Sequence, residues 1–323
     1  MNSLLYGITS NVIENYKLVK NNLRFDGEYI NHFASLVFAE DDEQINIEKI
    51  KDIRKYIKLN TNKMSGFRGD ILYMVSILIS KEKDYTDFSD RLIEINEILK
   101  DNGFKDGAFL VLSSYALTKH VKKGEMDNIL NDMKIIYKSL KFEYNEFTDE
   151  EDYLICTLLA IKNSKSKKEI RDINKFIKSM FNYLSDLDHY SKNDLQGVAS
   201  TLLLNNSASA PYEIKELITN FDKNDMKIGD EVLPLIGGVA REENIFEYIK
   251  KVIEVERFLC EEEGEYTFYM DKTFRTLIAI VIVEIYERDN SSFSNEYLEE
   301  LLCFAIYSFI VSKKQGLFEE VLA

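Results

Sequence analysis

The side chains with most capacity for chemistry stand apart from one another. His32, His120 and His189 are the only histidines, and no two share the spacing of a metal-binding pair on a helix. Cys156, Cys260 and Cys303 are equally isolated, so zinc-type ligation has no pair to start from. Asp222-x-Asn224 opens like a calcium loop, but Met226 holds the fifth position and Lys227 the sixth, where a glycine is required. The acidic runs Glu40–Gln44 and Glu261–Glu263 have oxygen donors for a hard cation, yet read better as solvated faces. No glycine-rich phosphate loop and no G-x-S-x-G elbow occurs, and both would need strands that the chain lacks. Ser113, Ser114 and His120 share one segment, but Ser114 precedes His120 by six residues, off the three-or-four spacing that sets helical side chains together. The expectation is therefore no catalytic set, no metal and no cofactor.

A second tier of residues suits binding. Arg68-Gly69-Asp70 reads as a loop–helix junction, with Gly69 for the turn and Asp70 near a helix start, where negative charge is favourable. Arg68 would pair with a nearby carboxylate or grip an anionic ligand. Tyr73 and Tyr115, with Tyr137, Tyr183 and Tyr248, fall on or beside apolar faces. They serve as core rings with surface hydroxyls, or line a peptide groove. His120 suits a helix C-terminus, and His32 a satisfied, half-buried place on an apolar face. Arg68, Asp70, Tyr73, Tyr115 and His120 are thus the candidate ligand- or partner-binding residues. Asp70, Asp106, Asp152, Asp194 and Asp230 open successive apolar segments. They form either the rim of an acid–base site or, more simply, helix caps.

The elements that would position these residues are helices. Five short apolar segments, Asp70–Ser80, Asp106–Thr118, Asp152–Ile161, Asp194–Leu204 and Asp230–Ala240, are each followed by a longer amphipathic one. Met126, Ile129, Leu130, Met133, Ile136, Tyr137 and Leu140 make the partner of the second nearly one-faced. Registered on Ile79, Leu117, Ile161, Leu204 and Ala240, the intervals are 38, 44, 43 and 36 residues. Such periods, built from two helices, indicate a divergent array of antiparallel helical hairpins, an all-α, solenoid-like superhelix. Three residues before the register points stand Ser76, Ser114, Leu158, Thr201 and Gly237, mostly small, as close helix approach requires. Thr148 with Glu151 and Ser166 with Glu169 match the capping box, Ser294 is an expected N-cap, and Pro211 fits a first helical turn. Residues 1–63 read as an N-terminal three-helix cap, 64–265 as about five hairpins, and 266–323 as a C-terminal helical pair running from about Phe268 to Arg288 and on from Ser294, all in one continuous structural unit.

Composition narrows the classes. The net charge of −15 and the sequence pI of about 4.9 argue against nucleic acid as the main partner. The densest basic stretch, Lys162–Lys168, reads as a loop. With 45% hydrophobic and 30% charged residues the chain is globular. An odd set of cysteines in apolar surroundings reads as free thiols in a reducing compartment. The N-terminus lacks a signal-peptide pattern, and the apolar runs Leu277–Val283 and Leu301–Val311 fall short of the ~18–20 residues of a membrane span. The expected location is the cytoplasm. The run 301–311 is expected to be buried or to form a homodimer interface.

Asn15–Phe38 (NYKLVKNNLRFDGEYINHFASLVF) and Lys63–Asp70 (KMSGFRGD) resemble the uncharacterised bacterial helical family catalogued as domain of unknown function number four thousand and three. The resemblance covers nearly the whole chain, implies a cytoplasmic all-helical protein, and brings no activity and no functional residues. The leading expectation is a non-enzymatic scaffold that binds a protein or peptide, of basic or polar character in view of the charge, on the surface of the array. The alternatives are an enzyme with a carboxylate-based site in a helical cavity and a small-ligand-binding regulator.

Overall fold

A computed structural model describes the chain apart from residues 41–43, 167–168, 206, 208, 227, 240–243, 265, 267–269, 289–295 and 323, and the side chains of 315–322. The described residues form fifteen α-helices and a few 3-10 turns, with no strand among them. They fall into two compact units, one made of 1–45 with 205–323 and the other of 46–204. The first unit holds α1 (Ser3–Asn22) and α2 (Glu28–Val37). The second holds α3 (Ile47–Asn60), α4 (Asp70–Ile79), α5 (Tyr85–Asp101), α6 (Ala108–His120), α7 (Met126–Glu143), α8 (Asp152–Ser166), α9 (Ile170–Leu184) and α10 (Lys192–Thr201). The chain then returns to the first unit with α11 (Ala210–Lys223), α12 (Leu233–Val239), α13 (Ile245–Glu262), α14 (Lys272–Arg288) and α15 (Leu298–Leu322).

The unit of residues 46–204 is an array of hairpins with two kinds of helix. In α3, α5, α7 and α9 one stripe is buried, such as Ile50, Ile53 and Ile57 on α3 or Ile129, Met133, Ile136 and Leu140 on α7. In α4, α6, α8 and α10 almost every side chain is buried. A helix that is apolar all round needs cover on several sides. Here α4, α6, α8 and α10 touch in chain order, and each also takes the stripe of the amphipathic helix before it: α3 on α4, α5 on α6, α7 on α8, α9 on α10. The packed pair is thus amphipathic then apolar, one helix out of phase with the expected order. The matching of stripes, not the shortness of a connection, selects the partner.

Polar ties link the two helices of successive pairs. Arg54 Nε donates to Ser76 Oγ at 3.0 Å, Asn96 Nδ2 to Ser114 Oγ at 3.1 Å, and Thr157 Oγ1 to Met133 Sδ at 3.3 Å, all buried. Ser76 and Ser114 are two of the small register residues, and their hydroxyls accept from the amphipathic helix.

The helix starts correct two expectations. Thr148 is not the cap of α8; its hydroxyl goes to Gln196 Oε1. Asp149 Oδ1 accepts from Glu151 N at 2.8 Å, and Asp152 Oδ2 accepts from Asp149 N at 3.2 Å. The reciprocal box is made one residue later, by a carboxylate that competes better for an amide N–H than a threonine hydroxyl does. Ser166 ends α8, and α9 starts behind Glu169 with no side-chain cap bond. Pro211 sits in the first turn of α11, as expected.

The unit of 1–45 with 205–323 is wired differently. Here α1 packs on α2, α13 and α14, and α2 on α14 and α15. Asn2 Nδ2 donates to Tyr286 Oη at 2.6 Å. His32 is fully buried: a carbonyl can only accept, so Nδ1–H donates to Glu28 O at 2.9 Å and Nε2 accepts from the Tyr266 hydroxyl at 3.2 Å. Tyr16 stacks on the imidazole with centroids 3.7 Å apart, and Phe274, itself in edge contact with Tyr29, meets it edge-on at 5.7 Å. Of the helices expected as a cap over 1–63, α1 and α2 lie in this unit and α3 in the other. The register point Ala240, the helix start at Phe268 and the cap Ser294 lie outside the described residues. The apolar run of α15 is buried from Leu301 to Ile306, where α15 packs on α2 and α12.

Candidate functional site

The five residues singled out by sequence are drawn into local packing. The Arg68 guanidinium donates to Thr61 Oγ1 at 2.7 Å and Thr61 O at 2.9 Å, and reaches Lys58 O at 3.5 Å. It closes the C-terminal end of α3, whose last carbonyls have no helical partner, and among the described residues its acceptors there are carbonyl and hydroxyl oxygens rather than a carboxylate. Gly69, at φ +66, is the N-cap of α4 and Asp70 its first residue, the junction expected. Over the Tyr73 ring lie the Arg54 guanidinium at 4.5 Å and Lys58 Nζ at 5.9 Å. Tyr115 is buried beside Phe88, with Lys119 Nζ 5.7 Å from its ring. His120 is the last residue of α6, half-buried. Arg68, Asp70 and Tyr73 gather at the α3–α4 junction, while Tyr115 and His120 belong to α6.

The five aspartates sit at helix starts. Asp70 and Asp152 are the first residues of their helices, Asp194 shares a cap with Ser191, Asp106 Oδ1 accepts from Gly66 N at 3.1 Å, and Asp230 opens a 3-10 turn. Asp152 is the buried one. Burial pushes its carboxyl up to about 8, with the negative charges of Asp149 and Glu151 adding to the rise and the Asp149 N–H opposing it. Gln196 Nε2 donates to it at 3.1 Å, and the Thr148 hydroxyl in turn holds Gln196. This is a closed network inside the α8–α10 packing rather than the wall of a cleft. Among the described residues no three His, Cys, Asp or Glu side chains are placed to hold a metal ion, and no helix is long and apolar enough to cross a membrane.

A groove of about 650 Å³ runs between the C-terminal half of α7 and the N-terminal half of α9, within the roughly 300–1,000 Å³ of ligand clefts. Its α7 wall is the stripe Ile135, Lys138 and Phe142, at i, i+3 and i+7; its α9 wall is Arg171, Asn174, Lys175 and Lys178. Phe142 is 90% and Ile135 41% exposed, so this apolar surface is paid out to solvent on the side of α7 away from its core stripe. Four cationic side chains line the groove against one carboxylate, Glu143, which is paired with Lys178. At the end of α7, Tyr144 is only 7% exposed, its hydroxyl buried without a hydrogen-bond partner, and Asn174 Oδ1 is likewise buried and unpartnered. Burial, then the charge of Glu143, pushes the Tyr144 hydroxyl up to about 12, so at neutral pH it is a donor. The start of α9 at Ile170 lacks a side-chain cap and brings the positive end of a helix dipole to the same place.

None of the five nominated residues lines this groove, nor do Tyr137, Tyr183 or Tyr248; the tyrosine that does is Tyr144. The signal for it was present in Ile135 and Phe142, seven residues apart and off the buried stripe of an otherwise one-faced helix.

The model of the family described as protein of unknown function (DUF4003) matches residues 15–315. No curated protein and no solved structure matches the chain.

Proposed function

The chain belongs to the DUF4003 family of proteins of unknown function, and on that premise we propose that it is a non-enzymatic binding protein that receives a segment of polypeptide in the α7–α9 groove. The observation that carries the reading is the open groove itself, whose α7 wall exposes Phe142 and Ile135 opposite the polar and cationic side chains of α9. The exposed Phe142 and Ile135 supply the apolar contact that a bound side chain would cover.

Panning a random peptide display library against the full chain tests the reading. Enriched peptides are expected to lose at least about tenfold in affinity on the double variant Ile135→Lys, Phe142→Asp, whose exposed sites leave the fold intact by circular dichroism. Absence of enrichment, or binding indifferent to the double variant, would overturn it. The carboxylate-site alternative draws little from the geometry, because Asp152, the aspartate with the raised carboxyl, is closed off by Gln196 and Thr148.

A further inference from the structure

Resting on that reading, we infer that the bound segment is an extended, acidic peptide with carboxylates at alternate positions, facing α9, and apolar side chains between them, facing α7.

The charge argument is local. The chain as a whole carries −15, which alone would favour a basic partner. Screening limits the reach of exposed charges to about 8–10 Å at physiological ionic strength, so a docked segment responds mainly to the groove. There it meets Lys138, Arg171, Lys175 and Lys178 against Glu143, together with the uncapped start of α9.

The spacing argument is independent of the charge count. Arg171 and Lys175 are four residues apart on one face of α9, a rise of about 6 Å at 1.5 Å per residue. Alternate residues of an extended strand are about 6.6 Å apart and point the same way. Carboxylates at every second position of an extended segment therefore meet Arg171 and Lys175 in register. The intervening side chains then point to the opposite wall, where Ile135 and Phe142 are exposed. Lys178 is engaged by Glu143 in an exposed pair, the kind that contributes least. An incoming carboxylate can replace Glu143 on it.

The test uses three labelled ten-residue peptides and the full chain: alternating Glu/Leu, alternating Gln/Leu, and a Glu/Leu peptide of the same composition in Glu-Glu-Leu-Leu blocks. Alternating Glu/Leu is expected to bind at least about tenfold tighter than Gln/Leu at low salt, as three exposed ion pairs allow, with the advantage lost in high salt. The blocked peptide is expected to be several-fold weaker than the alternating one. Glu143→Gln should tighten the acidic peptide and leave the neutral one unchanged. The triple variant Lys138→Glu, Arg171→Glu, Lys175→Glu should invert the preference toward an alternating Lys/Leu peptide, which also shows that the variant is folded. Equal binding of the Glu/Leu and Gln/Leu peptides overturns the acidic partner while leaving the peptide-binding reading in place. Equal binding of alternating and blocked peptides overturns the extended register. Binding to anionic phosphatidylglycerol vesicles, but to none of the peptides, overturns both.

Discussion

The two units solve one problem, covering helices that are apolar beyond a single stripe, by opposite routes. In residues 46–204 each buried helix is covered by helices adjacent or next-but-one in the chain. In the other unit α1 and α2 are covered by α13, α14 and α15, more than two hundred residues on. The lesson is that helical hairpins stacked in chain order need only local matches, while closure of distant segments needs a specific interior. That interior is built from interlocked rings and a buried histidine, His32 with Tyr16, Tyr266 and Phe274. Local stacking predicts effects of mutation that fade within a hairpin or two; distant closure predicts effects that appear at both ends of the chain together.

The largest effects test this directly. Phe274 is fully buried against Tyr29, His32 and Phe309, and Phe274→Ala is expected to cost about 3–5 kcal/mol. Leu112 in α6 is also buried, and Leu112→Ala is expected to cost about 2–5 kcal/mol. Native-state hydrogen exchange separates the two. Phe274→Ala should lower protection in α1, α2 and α14 together, whereas Leu112→Ala should lower it first in α5, α6 and α8. Loss confined to α14 in the former would break the contrast.

Next in size is a pH dependence confined to the stacked unit. Asp152 titrates at about 8 when folded, against 3.8 for the ordinary group. The folded state therefore holds a proton that the unfolded state has lost between about pH 4 and 8. Stability from this group is full below about pH 4 and falls as pH rises to about 8, by up to about 1.4 kcal/mol per pH unit. Asp152→Asn should flatten that slope. Urea unfolding at intervals of pH checks it, and a variant with the parent's slope would remove Asp152 as the cause.

Smaller again are two glycines that face different obstacles. A Cβ on Gly66 would lie 2.7 Å from the Gly107 carbonyl oxygen, which is backbone; on Gly229 it would meet the Thr273 methyl and the Glu231 carboxylate, which are side chains. Gly66→Ala is expected to cost about 1–3 kcal/mol, and Gly229→Ala less, because side chains can turn aside. The reverse order in denaturant midpoints would show that the loop before α4 yields more readily than its contacts suggest.

Much of the stacked unit could be read from sequence because its determinants are periodic. Ile129, Met133, Ile136 and Leu140 repeat at helical spacing and are buried on one stripe. The all-helical class and the family follow from the same text. The phase of the pairs was hidden, because an apolar helix such as α6 announces that it is buried but not which neighbour covers it. Closure of the other unit was hidden for a related reason: Tyr29 and Phe309 meet with centroids 5.0 Å apart, yet nothing in either residue's neighbourhood names the other. The groove was missed because it belongs to two surface stripes at once, and neither Lys138 on α7 nor Arg171 on α9 is distinctive by itself. Arg68 was ambiguous in sequence because a guanidinium that closes a helix end and one that grips an anion look alike until its acceptors are seen.

The finest comparison lies in two helix ends built alike, one in each unit. After α5, Gly103 at φ +91 donates to Lys100 O and Phe104 donates to Leu99 O. After α11, Asp225 at φ +56 donates to Asp222 O and Met226 to Phe221 O. Both are Schellman ends, with the following apolar residue buried, but one uses glycine at the left-handed position and the other an aspartate. A side chain there costs about 1 kcal/mol, so Gly103→Asp should lower the urea midpoint by about that much in free energy. Asp225→Gly should raise it by less, because Asp225 also holds Lys272 at 2.6 Å in an exposed ion pair, and glycine gives that up. High salt screens the pair and should bring the two changes closer to equal and opposite. If both substitutions moved the midpoint the same way, backbone strain would not be what distinguishes these ends, and the ion pair with Lys272 would be the stronger determinant in the unit closed over distance.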